Sequence, residues 1–134
     1  MTGQTPVRPS KTAGQFLVPE TTIHTNGESS SLPLATLSDG PVVSALITLG
    51  ITKVVEQEAL TLSIHGSPDG ATWTAAPLAA FPQKFYTGVY SLVIDLGKHP
   101  DTRYIRAQWK VARWGRGDKT PSFTLYVFVE PVQP

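Results

Sequence analysis

A chain of 134 residues with 40% hydrophobic content and a formal charge of +1, from 11 basic and 10 acidic side chains, fits one domain with a sizeable core and excludes a polyanion partner recruited by net charge alone. The absence of cysteine excludes disulfide scaffolding and thiolate metal sites and leaves the redox compartment open. No apolar run approaches the roughly 20 residues of a membrane span, and residues 1–10 lack the apolar middle of a secretion signal, so the chain is expected to be soluble with no compartment specified.

Beyond Met1, residues 1–14 hold Val7 as their one large apolar side chain and read as an arm. Phe16-Leu17-Val18 before Pro19 suggests an edge strand, and Thr25 to Ser31 is polar and turn-forming. Residues 1–40 are therefore expected to be an extended leader that wraps the domain or reaches a neighbouring molecule, with the domain proper at 41–134. From Pro41 the pattern tightens. Val43, Ala45, Ile47 and Leu49 alternate with Val42, Ser44, Leu46 and Thr48, which is a strand; Ile51 to Val55 either continues it past a bulge at Gly50 or begins the next one. Leu60, Leu62 and Ile64 mark another strand. The turn Ser67-Pro68-Asp69-Gly70 then predicts a hairpin whose return strand is Ala71 to Thr74, anchored by Trp73.

Phe81, Phe85, Tyr86 and Tyr90 crowd a stretch too irregular for a strand, expected to be a loop leading into a strand from Tyr90 to Leu96. In Arg103 to Glu130 two alternating runs flank the loop Trp114 to Pro121 and read as antiparallel neighbours. The first puts Ile105, Ala107, Trp109 and Val111 on one face; the second is apolar on both faces and reads as an interior strand. No window offers a capped helical stripe. Twelve prolines and eleven glycines divide the chain into short pieces. The fold expected is all-β, a single antiparallel β-sandwich, jelly-roll-like, of about seven or eight strands, with a closed barrel as the alternative.

Candidate sites are few. His24, His65 and His99 lack zinc-site spacing, and Glu56 and Glu58 read as two acids on a solvated strand face, so no catalytic residue, metal or cofactor is assigned. Arg103, Arg106, Lys110, Arg113, Arg116 and Lys119 form the one basic concentration, beside Tyr104 and Trp114. Such a patch can meet phosphates with stacking aromatics, an acidic partner surface, or only solvent. Arg116-Gly117-Asp118 is the tripeptide that integrins read, three residues that recur by chance in many chains. The aromatic loop either closes one end of the sandwich or, exposed together with Trp114, forms a sugar platform or a protein interface. The residues singled out for partner contact are Arg106, Lys110, Arg113, Trp114, Arg116, Phe85 and Tyr86.

Two resemblances bear on this. Ser67-Pro68-Asp69-Gly70-Ala71-Thr72-Trp73 resembles the Asp-box turn of sialidase-type propellers but differs in the glycine position and occurs once, which rejects the propeller; it also looks like the hairpin turn of discoidin-like carbohydrate modules. The longer series runs from Leu60 to Trp73, through Ile94-Asp95-Leu96 and Arg103-Tyr104-Ile105-Arg106, to the closing Phe123 to Val129 strand. It resembles the small β-sandwich accessory proteins of tailed-phage virions, including capsid cement or decoration proteins. That resemblance implies a non-enzymatic assembly protein, virion-associated, binding copies of itself or a larger particle. A carbohydrate-binding module is the alternative, and single-stranded nucleic-acid binding the third.

Overall fold

A computed structural model describes residues 14–114 and 120–132. In chain order the strands are β1 (Gln15–Ile23), β2 (Gly27–Glu28), β3 (Leu32–Pro33), β4 (Ser44–Val54), β5 (Glu58–Ser67), β6 (Ala79–Ala80), β7 (Gly88–Asp95), β8 (Tyr104–Arg113) and β9 (Phe123–Val132). Two short 3-10 turns, Leu34–Thr36 and Leu96–Lys98, are the helical structure among the described residues.

The strands form two antiparallel sheets that pack face to face without closing into a barrel. One has the order β1-β9-β4-β7 and the other β2-β8-β5-β6, with β3 following β2 along β8. Apart from β5 and β6, which share a sheet, successive strands cross from one sheet to the other, with β2 and β3 as two halves of one crossing position. This is jelly-roll connectivity.

Alternation builds the core. Ala45, Ile47 and Leu49 of β4 and Phe123, Leu125, Val127 and Val129 of β9 point inward from one sheet. They meet Leu60, Leu62 and Ile64 of β5 and Ile105 and Ala107 of β8 from the other. Each such leucine, isoleucine or phenylalanine contributes about 1.5–3 kcal/mol of transfer free energy. Trp109 and Val111 pack against the margin of this cluster, half-buried. The interior position of β9, between β1 and β4, agrees with its two apolar faces.

Several expectations need correction. The β8 and β9 runs are not neighbours: β8 pairs with β5, β2 and β3, and β9 with β1 and β4, so the two strands lie in different sheets. Two strands that each bury one face show the same alternation whether they lie side by side or oppose one another across a core. Residues 14–40 belong to the packed unit, since β1 pairs with β9 and Leu17, Val18, Ile23, Leu32, Leu34 and Leu37 join the core. Residues 1–13 of the expected leader lie outside the described ones.

Ala71 to Thr74 is not a strand. Gly70 takes φ +80° as the turn requires. Asp69 Oδ1 then accepts hydrogen bonds from the Ala71 and Thr72 N–H groups, both at 2.8 Å, and winds the chain away from the ladder. Pairing with β5 resumes at Ala79–Ala80. β4 also runs straight through Gly50; the irregularity falls between Ile51 and Lys53, opposite β9. Gly50 is required for a different reason, because the Tyr126 ring occupies the space a Cβ would need.

Candidate functional site

The clearest constellation sits at one end of the sandwich. The chain between β6 and β7 is clamped to β5 by a reciprocal pair, Leu60 N–H to Lys84 O and Lys84 N–H to Leu60 O, each 2.9 Å. Lys84 Nζ lies 3.9 Å from the centre of the Tyr90 ring, and the Tyr90 hydroxyl donates to Tyr86 O at 3.2 Å. These contacts fix Phe85 and Tyr86 at the rim.

Trp114 arrives from the other direction, at the end of β8, where its backbone N–H donates to Gln57 O at 3.0 Å. Gln57 holds φ at 63°, the one non-glycine described residue in the left-handed region. Beside it Arg113 Nε donates to Glu56 O at 3.3 Å. The Phe85 ring meets Trp114 edge-on at 6.2 Å and tilts against Tyr86 at 6.3 Å. Exposure is high, 40% for Phe85, 74% for Tyr86 and 55% for Trp114. Together with Glu56, Gln57 and Thr87 they line a cleft of 540 Å³. The arrangement offers apolar ring surface next to carboxylate and amide groups and suits recognition of a surface or a ligand.

Glu58, read from sequence as solvated, is 1% exposed. Its Oε2 accepts from the Val55 N–H and its Oε1 from the Ser122 N–H, both at 2.7 Å. It braces the base of the cleft and does not form a carboxylate pair with exposed Glu56.

The expected basic patch is broken up. Arg106 lies on the outer face of β8, its guanidinium 4.4 Å from the Trp73 ring centre and 3.1 Å from Glu28 Oε2. Its Nε is buried without a hydrogen-bond partner. Lys110 stands exposed further along β8, Arg103 caps the Pro100 carbonyl at 2.9 Å, and Arg113 belongs to the aromatic end. At about 3.3 Å per residue, Arg106 and Arg113 are roughly 23 Å apart along the strand. Arg116, the Arg116-Gly117-Asp118 tripeptide and Lys119 lie outside the described residues. The fold therefore brings Phe85, Tyr86, Trp114 and Arg113 together and separates Arg106 and Lys110 from them.

A second surface was not singled out from the sequence. On the outer face of the β1-β9-β4-β7 sheet Phe16 packs edge-on against Phe128, centroids 4.8 Å apart, and against Tyr126 at 6.0 Å. Glu20 and Glu130 border these rings. The signal was the second apolar face of β9, which reads equally as burial under another layer.

Two histidines are tied into the fold: His65 is buried between Thr74 O and Ser63 Oγ, and His24 Nδ1 lies 3.0 Å from Pro121 O. Among the described residues no three His, Cys, Asp or Glu side chains are grouped to hold a metal, and no helix is long and apolar enough to cross a membrane. Comparison with protein-family models and with curated proteins finds no match to either.

Proposed function

We propose that this chain is a non-enzymatic structural or assembly protein, binding copies of itself or a larger particle of the tailed-phage virion kind. One observation carries the reading: Phe85, Tyr86 and Trp114, from separate parts of the sequence, converge as exposed rings at one end of the sandwich. Aromatic side chains with a neighbouring arginine are the usual anchors of protein interfaces. Jelly rolls build viral capsid domains, which supports the reading by fold-level analogy. Light scattering during size-exclusion chromatography tests it. Self-association that rises with concentration and weakens in Trp114→Ala is the expected result; a chain monomeric at every concentration counts against self-assembly.

Carbohydrate binding is the second reading, favoured by Glu56 and Gln57 beside the same rings, since a sugar stacks its C–H face on an aromatic ring and donates hydroxyls to carboxylate or amide oxygens. Glycan-array binding abolished by Trp114→Ala would promote it. Single-stranded nucleic-acid binding loses support, because Arg106 is engaged by Glu28 and Trp73.

A further inference from the structure

Three kinds of sheet edge among the described strands are blunted, and one is not. β1 carries Pro19 and two register shifts against β9. β2, β3 and β6 are two residues each. β7 instead pairs with β4 without a shift from Gly88 to Asp95, contains no proline, lysine or arginine, and has Asp95 at its end as its one charge. Its outward side chains are Val89, Ser91 and Val93, with the valines 69% and 57% exposed. Native proteins protect long flat edges of this kind, because unpaired backbone groups template another strand.

The direction of those groups follows from one hydrogen bond. Leu96 N–H donates to Val43 O at 2.8 Å, one step beyond the Ser44–Asp95 pair. Antiparallel alternation carried back from it turns the backbone groups of Ile94, Leu92 and Tyr90 toward β4 and those of Val93, Ser91 and Val89 toward the open side.

We propose that β7 is a pairing edge for β7 of a second copy of this chain, antiparallel about a twofold axis at Ser91; this rests on the assembly reading above. The segment Val89-Tyr90-Ser91-Leu92-Val93 has the same pattern in both directions, valine-serine-valine outward and a large apolar residue on each side inward. With Ser91 opposite Ser91, Val89 faces Val93 of the second copy, and Asp95 falls opposite Thr87, so no like charges meet. The outward-directed groups of Val89, Ser91 and Val93 then make about six backbone hydrogen bonds. The result is one continuous sheet across two molecules, whose outer face joins the Phe16, Tyr126 and Phe128 surfaces of both copies.

Because the chain has no cysteine, Ser91→Cys is a clean reporter. Hydrogen-bonded antiparallel partners have Cα atoms about 5.5 Å apart, inside the disulfide range. Mild oxidation should convert Ser91→Cys to a covalent dimer and leave Ser30→Cys, exposed in the loop between β2 and β3, monomeric. Ser91→Lys, which sets two ammonium groups together, should keep the wild-type melting temperature at concentrations where both proteins are monomeric and raise the dimer Kd about tenfold or more. If the wild type associates but both cysteine variants cross-link alike and Ser91→Lys associates normally, the edge is overturned while assembly stands on another surface. A wild-type chain monomeric at every concentration overturns the edge and the self-assembly reading together. Should Ser91→Lys fail to fold, the cysteine pair decides.

Discussion

The Glu58 carboxylate accepts a hydrogen bond at 2.7 Å from the backbone N–H of Ser122, linking the start of β5 in one sheet to the entry of β9 in the other. The same side chain holds the Val55 N–H, so two backbone donors depend on one buried acid. Glu58→Ala leaves both unsatisfied and should cost about 2–5 kcal/mol, whereas Glu58→Gln keeps one acceptor and should cost about half as much. Urea unfolding of the two variants against wild type measures the difference.

Asp69 gives the pH dependence. Backbone donation from Thr72 and Ala71, with the Ser67 hydroxyl, lowers its pKa from 3.8 to about 2. A carboxyl depressed in the folded state stabilises the fold above its unfolded pKa. Its contribution should therefore be complete above about pH 4 and disappear as the pH falls toward 2. Denaturation curves from pH 2 to 7 should show this slope in wild type and a shallower one in Asp69→Asn.

Arg106 tests stacking against charge. Its contact with the Trp73 ring should give a coupling of about 0.5–2 kcal/mol in a double-mutant cycle of Arg106→Lys and Trp73→Leu, because an ammonium lacks the planar face. The cycle with Glu28→Gln should be smaller and fade with added salt, since Glu28 is half exposed. Equal couplings at high salt would overturn the stacking account.

Gly50→Ala should destabilise by about 1–3 kcal/mol by forcing the Tyr126 ring off β4. In a Tyr126→Ala background the penalty should fall markedly, because the obstructing ring is gone. Thermal unfolding of the four proteins checks this.

Strand identity was legible where a single face is buried: Ile47, Leu62, Ile105 and Leu125 were all marked by alternation. Partnership was not, because alternation records which face is covered and not which strand lies beside it; β8 and β9 are the example. β1 was legible as an edge strand at Phe16-Leu17-Val18, but not its continuation past Pro19 to Ile23, because its register shifts let adjacent Leu17 and Val18 both be buried, which destroys the period of two. Of the candidate site, Phe85, Tyr86 and Trp114 were each legible as aromatic candidates, while their ring contacts depend on where β8 ends relative to β5. Glu58 was misread because an acid between a turn and a strand looks solvated until the N–H groups that reach it are known.

The position of β9 bears on how the chain reaches its folded state. β1 pairs with no other described strand, and β4 keeps an open side until β9 arrives. The earliest and the latest described strands must therefore meet before the first sheet exists, a long-range closure that slows folding. During synthesis β1 stays unpartnered until residues 123–132 have emerged, so the sheet cannot assemble progressively from its N-terminal strand.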